Sequence, residues 1–136
     1  MVYLDSNVFV YAVTHDPAKF GKAKKAIAIL RSIEEGEIDG ATSFLTWDEL
    51  TWVVWKLEGR EAGVRSGAEL LKLDNLALLP VNSSVMLRAK ELIERYQLKP
   101  RDSIHVASAL MSGEKEIISD DAELESVREI KRRSLD

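Results

Sequence analysis

The chain contains no cysteine. Disulfides, thiolate zinc sites and cysteine nucleophiles are thereby excluded. It has only two histidines, His15 and His105. Neither has a partner at metal-ligand spacing, so neither is expected to serve as ligand or base. Three prolines and seven glycines form no linker, and no repeat or low-complexity segment is present. No apolar run approaches the ~20 residues of a membrane span. No basic leader or cleavage site precedes the first apolar run, so a cytoplasmic protein without a membrane role is expected. Positive charge is in deficit, with 19 Lys and Arg against 23 Asp and Glu and a net charge of −4. That balance excludes a global basic field for nucleic acid. Contact with nucleic acid would need a local basic edge, or metal ions that offset acidic groups.

What remains is ordinary globular composition, 46% hydrophobic and 31% charged. The 136 residues make one domain, 1–136, long enough to bury a core without crosslinks. The opening stretch Val2 to Asn7, V-Y-L-D-S-N, is a β-prone run that ends abruptly at an aspartate. It reads as a buried strand feeding a helix, with Asp5 at the strand's carboxyl end and Ser6 or Asn7 capping the next helix. In open α/β sheets ligands bind at that edge.

Further along, Ala23, Ala26, Ile27, Leu30 and Ile33 repeat at helical spacing and predict a helix over roughly 18–35, closed by Gly36. A strand is expected at 38–42 and a turn at 43–46. A helix runs from about Trp47 to Glu58, with Trp47, Leu50, Val54 and Leu57 as its stripe. Trp52 and Trp55 fall off that stripe and suit either core or an interface. A helix at about 60–73 is weakened by Gly63 and Gly67. Leu76 to Val81 reads as a strand that Pro80 demotes to an edge. Val85, Met86, Ala89, Leu92, Ile93 and Tyr96 give the clearest helical stripe. Pro100 opens another helix, whose Ile104, Ala107, Ser108 and Met111 share a face. Glu116 to Ile118 is a short strand ending in Ser119-Asp120-Asp121, and a short helix at about 122–127 leads to a basic tail with Lys131, Arg132 and Arg133. Strands alternating with helices predict an α/β fold, a three-layer α/β/α sandwich around a short parallel sheet.

In that architecture acids collect at one edge. Asp5 ends the first strand. Glu49 and Asp102 are expected in the first turns of their helices, and Asp120-Asp121 ends the late strand. Each alone is explained by capping or by the helix macrodipole. Together they would repel unless a cation offsets them. A hard divalent cation does so, and it can activate water for phosphoryl displacement. Arg101 beside Asp102 suits a phosphate contact.

The segments V-Y-L-D-S-N-V-F at 2–9, S-F-L-T-W-D-E-L at 43–50, L-K-P-R-D-S-I-H-V-A-S-A at 98–109 and I-I-S-D-D-A-E-L at 117–124 resemble PIN-domain proteins, and more narrowly the VapC-type toxins. The resemblance spans nearly the whole chain. It implies catalytic and metal-binding roles for Asp5, Glu49, Asp102 and Asp121, with Asp120 as an alternative ligand. It also implies a Mg²⁺- or Mn²⁺-dependent ribonuclease acting on RNA, a homodimer and a small antitoxin partner. Two other readings stay open. One is a haloacid-dehalogenase-like phosphatase or phospho-acceptor domain using Asp5, although Asn7 stands where such enzymes carry a second Asp and no lysine suits. The other is a non-catalytic binding module whose acids are caps.

Overall fold

A computed structural model of the chain describes all residues 1–136. Strands β1 (Val2–Leu4), β2 (Gly40–Ser43), β3 (Leu76–Leu79), β4 (Glu116–Ile118) and β5 (Lys131–Arg133) form one sheet in the order β3-β2-β1-β4-β5. Every pairing is parallel, with Tyr3 opposite Ala41 on one side and Ile117 on the other. Six helices connect and cover them: α1 (Ser6–Thr14), α2 (Gly21–Glu34), α3 (Phe44–Glu58), α4 (Arg60–Leu71), α5 (Ser83–Arg95) and α6 (Pro100–Met111). None is long and apolar enough to cross a membrane.

The alternation of β1 and β4 creates two cores. Tyr3 and Ile117 pack on one face with Val85, Ala89 and Leu92 of α5 and Val106 of α6. Val2, Leu4 and Ile118 pack on the other face with residues of α1, α2, α3 and α4, including Phe9, Ile33, Leu50 and Leu70. A central parallel strand must be apolar on both sides, which is why β1 reads V-Y-L without a polar break. The result is the expected three-layer sandwich. From β1 the chain steps outward through β2 to β3, then returns to the other side of β1 for β4 and β5. The reversal leaves a crevice at the carboxyl ends of β1 and β4, where open α/β sheets hold their ligands.

Three expectations need correction. Lys131–Arg133 is not a tail but the edge strand β5, parallel to β4. Its three basic side chains hide a strand that pairing with Glu116–Ile118 creates. Helix α3 begins at Phe44, so the expected turn at 43–46 is mostly helix. The stripe of α3 is also displaced: Leu50 and Val54 are buried with Thr46 and Thr51, whereas Trp47 is 40% and Leu57 66% exposed. The cause is α4. A Cβ on Gly63 would lie 2.7 Å from the Thr51 carbonyl oxygen, and one on Gly67 would overlap the Thr51 hydroxyl and lie 2.8 Å from the Trp47 indole nitrogen. The two glycines thus let α4 press against the Thr51 side of α3, and their weak helix propensity is the counterpart of that close approach.

Candidate active site

Asp5 lies directly after β1, placed at the crevice by a backbone hydrogen bond from its N–H to the Ile118 carbonyl. Asp5 itself, rather than Ser6 or Asn7, is the N-cap of α1: its Oδ1 accepts from the Ser6 N–H at 2.7 Å. Its Oδ2 accepts from the Ser119 hydroxyl at 2.6 Å, across the β1–β4 boundary. The carboxylate is almost wholly buried.

Glu49 lies in the second turn of α3, because that helix starts earlier than expected. Its Oε2 accepts from the Ser6 hydroxyl at 3.2 Å. Its Oε1 lies 2.5 Å from Nε2 of His105, which also stands 3.4 Å from Asp5. Asp102 sits in the first turn of α6, behind Pro100, as expected. Asp121 caps the 3-10 helix Ala122–Ser126, accepting from the Glu123 N–H at 2.9 Å. Asp102, Asp121 and Glu123 each offer a carboxylate oxygen within 4.8 Å of the others. One cleft is lined by Glu49, Lys99, Arg101, Asp102 and Asp121, and Asp5 lies behind it, linked to Glu49 through His105 and Ser6.

Asp120 does not join them. Its carboxylate points to the opposite flank, where Lys22 Nζ and the Tyr11 hydroxyl each reach it at 2.6 Å. Burial would raise its pKa, but these two hydrogen bonds win and hold it below the ordinary aspartate value. Tyr11 is correspondingly pushed up to about 12, by burial and by the Asp120 carboxylate. The adjacent aspartates thus have different partners: Asp120 is paired with a lysine and Asp121 faces acids.

Two side chains went unread in the sequence. Glu123 stands two residues past Asp121, with a carboxylate oxygen within 4.8 Å of those of Asp102 and Asp121. His105, read in the sequence as having no partner at metal-ligand spacing, is 1% exposed and sits among the acids. Its position three residues after Asp102 puts both on one side of α6, and that i,i+3 relation was the available signal. His15 stays outside, packed edge-on against Tyr11 and beside Phe20.

The electrostatics reflect the crowding. Asp102 is pushed from 3.8 up to about 7, first by burial and then by the charges of Asp121 and Asp5. Burial alone would discharge His105; the Tyr3 oxygen, Asp5 and Glu49 outweigh it and hold the ring well above the usual histidine value. Lys99 and Arg101 line the cleft, but the only basic side chain paired with Asp5 or Glu49 is His105. The donor set around Asp102 is all oxygen and partly solvent-accessible. It fits a hard divalent cation and does not suit a soft metal.

Comparisons with known proteins bear on the fold and the family. No curated protein matches the chain at a significant level of sequence similarity. Solved structures match its fold closely. A chain from the structure of VapBC2 from Rickettsia felis, bound to a DNA fragment from its promoter, superposes with a TM-score of 0.74 at 16% identity, covering 98% of each chain. VapC20 from Mycobacterium tuberculosis, described as a Sarcin-Ricin loop cleaving toxin, gives 0.75 at 15% identity over 93% of this chain and 94% of that one. A chain of VapBC-1 from nontypeable Haemophilus influenzae gives 0.70 at 16% identity over 99% and 98%. At the level of sequence, the model of the PIN domain matches residues 2–130. With the switch-point acids on the same scaffold, that match over nearly the full length places the chain in the PIN domain family.

Proposed function

We propose that the chain is a Mg²⁺- or Mn²⁺-dependent endoribonuclease, the toxin of a VapBC-type toxin–antitoxin pair. The observation that carries this reading is the meeting of Asp102 and Asp121 at the sheet's switch point, with the Asp102 carboxyl so crowded that it keeps a proton up to about pH 7. Asp5, Glu49, Asp102 and Asp121 would hold the ion or ions, with Glu123 within reach. A divalent ion there supplies Lewis acidity, activating water and stabilising charge on a phosphodiester. The chain's own residues bind and orient. Ser119 and the Ser6 N–H fix Asp5, and Ser6 also fixes Glu49. Arg101 and Lys99 on the cleft wall are placed to receive phosphate oxygens, Arg101 as a two-pronged donor.

Two further observations support the partners. VapC20 is described as a toxin that cleaves the Sarcin-Ricin loop, and the Rickettsia and Haemophilus matches come from VapBC complexes. Trp52 and Trp55, adjacent on the surface of the single chain, are 49% and 38% exposed, and aromatic residues are enriched at interfaces. A homodimer contact or an antitoxin would cover them. An apolar cleft lined by Phe9, Val13, Leu30, Leu50, Leu70 and Leu73 offers a second surface for a small antitoxin.

The competing readings fare less well. A phosphatase using Asp5 would carry a second acid two residues on, where Asn7 stands instead and spends its amide on Ser119 and the Asp120 N–H. As mere caps, Asp5 and Asp121 need one oxygen each, which leaves their meeting with Glu49 and Asp102 without cause. The deciding experiment incubates the purified chain with single-stranded RNA and Mn²⁺ or Mg²⁺. Cleavage abolished by EDTA and by Asp5→Asn or Asp121→Asn is the expected result. Metal-independent cleavage, or none with any RNA, overturns the reading.

A further inference from the structure

His105 is a costly residue in its place. It lies on the most buried helix of the chain, between Ser103 and Ala107, at 1% exposure. An apolar side chain there would fill the volume without desolvating an imidazole. Both ring nitrogens are occupied. Nδ1 lies 2.7 Å from the Tyr3 hydroxyl, and Nε2 lies 2.5 Å from Glu49 Oε1. Tyr3 is itself fully buried on the central strand. Its hydroxyl bonds Ser43 Oγ at 3.0 Å and receives the Ser43 N–H at 3.2 Å. At the far end the second oxygen of Glu49 is held by Ser6.

A single line of hydrogen bonds therefore runs from Ser43 on β2, through Tyr3 on β1 and His105 on α6, to Glu49 on α3 and Ser6 on α1. Glu49 is the end that matters. It is the member of the acidic set that projects from a helix side rather than from a strand end or helix start. Its side chain is long and loses about 2 kcal/mol of rotamer freedom when fixed. Hydrogen bonds to both oxygens hold it in one rotamer while each oxygen keeps a second lone pair. His105 is too enclosed to touch an RNA strand, and its Nε2 is already spent on Glu49.

We propose that His105 is a positioning residue, anchored by Tyr3, that holds Glu49 in the orientation in which it meets a divalent cation. The inference rests on the ribonuclease reading above and names the regulation of that site's geometry. Partners that orient a metal ligand in this way are worth about 10–100-fold in metal affinity.

The test uses the full-length chain with five variants: His105→Leu, His105→Gln, Tyr3→Phe, Glu49→Gln, and His105→Leu combined with Glu49→Gln. His105→Leu keeps the bulk and removes the donor; His105→Gln restores an N–H aimed at Glu49. Mn²⁺ binding is followed by calorimetry without RNA, the ion-free melting temperature is recorded, and kcat and KM are measured on single-stranded RNA. The expected result is Mn²⁺ binding weakened about 10–100-fold in His105→Leu. A lower kcat, an unchanged KM for RNA and partial recovery in His105→Gln should accompany it. Tyr3→Phe should lie between wild type and His105→Leu. The double variant should bind Mn²⁺ no more weakly than Glu49→Gln alone, because His105 acts through Glu49. Wild-type Mn²⁺ affinity in a folded His105→Leu or Tyr3→Phe overturns the proposal, and so do losses that add in the double variant. If His105→Leu does not fold, Tyr3→Phe decides on the same criterion. A wild-type chain that binds no divalent ion and cleaves no RNA sinks the ribonuclease reading, and this inference with it. A wild type that does both, beside a His105→Leu that binds Mn²⁺ equally well, sinks this inference alone.

Discussion

Lys22 Nζ stands 2.6 Å from Oδ1 of Asp120, and with the Tyr11 hydroxyl it draws this aspartate away from its neighbour Asp121. It turns Asp120 toward α2 and leaves Asp121 to the acidic cleft. Asp120→Asn should accordingly keep Mn²⁺ affinity within about threefold of wild type, about 0.7 kcal/mol. Asp121→Asn should lose tenfold or more, about 1.4 kcal/mol. Calorimetry on the two variants checks this, and the opposite ranking would show that the loop rearranges when an ion binds.

The second prediction concerns pH. Asp102 titrates near 7 in the folded chain against 3.8 as a free side chain, so the folded state keeps a proton that the unfolded chain gives up. Stability tied to that proton is complete below the unfolded value and is lost as pH rises through about 7. A cation needs the same carboxyl bare. Mn²⁺ affinity should therefore climb with pH, by up to about one decade per unit, and level off above about 7. The ion-free chain should meanwhile become less stable over the same window. Titrations and melting curves between about pH 5.5 and 8 test both signs, and Asp102→Asn should flatten the two curves.

Some of this was legible from residues alone. An apolar run broken by Asp5 marks the end of a buried strand, and Pro100 with Asp102 close behind it marks a helix start, because both signals are local. What escaped depends on distance. The partners of His105 are 56 and 102 residues away, so no window contains them. Strand β5 has no apolar alternation of its own and exists through pairing with β4. The displaced stripe of α3 is due to two glycines on the next helix, an effect that periodicity within α3 cannot contain.

Those glycines carry the third prediction. On an isolated helix Gly63→Ala would stabilise by about 1 kcal/mol. Here the new methyl would meet the Thr51 carbonyl at 2.7 Å and the Trp55 Cα at 3.0 Å, both backbone atoms that cannot step aside. Net destabilisation of about 1–3 kcal/mol is expected from the overpacking. Urea unfolding midpoints decide the sign.

The fourth prediction addresses the exposed tryptophans. The rings of Trp52 and Trp55 lie 6.1 Å apart and project from one side of α3. A Trp52→Ala, Trp55→Ala double variant should weaken self-association or antitoxin binding by about 2 kcal/mol or more if either ring anchors the contact. Sedimentation and antitoxin titration are the measurements. A monomeric wild type, with antitoxin affinity unchanged in the variant, would remove both surfaces from consideration.

The guanidinium of Arg132 donates to the carbonyls of Ser119 and Asp120, and the Ser119 hydroxyl binds Asp5, 114 residues earlier in the chain. The Asp5 carboxylate thus leaves the ribosome long before its surroundings exist. Until β4 emerges, one edge of the central strand is bare and Asp5 lacks its partner. Until β5 emerges, the Ser119 and Asp120 carbonyls lack the Arg132 guanidinium. A nascent or prematurely terminated chain that stops short of residue 116 lacks β4, Ser119 and Asp121, and so holds no assembled cleft. The order of the strands therefore sets the order of assembly: the acidic cleft is complete only once β4 and β5 have been made.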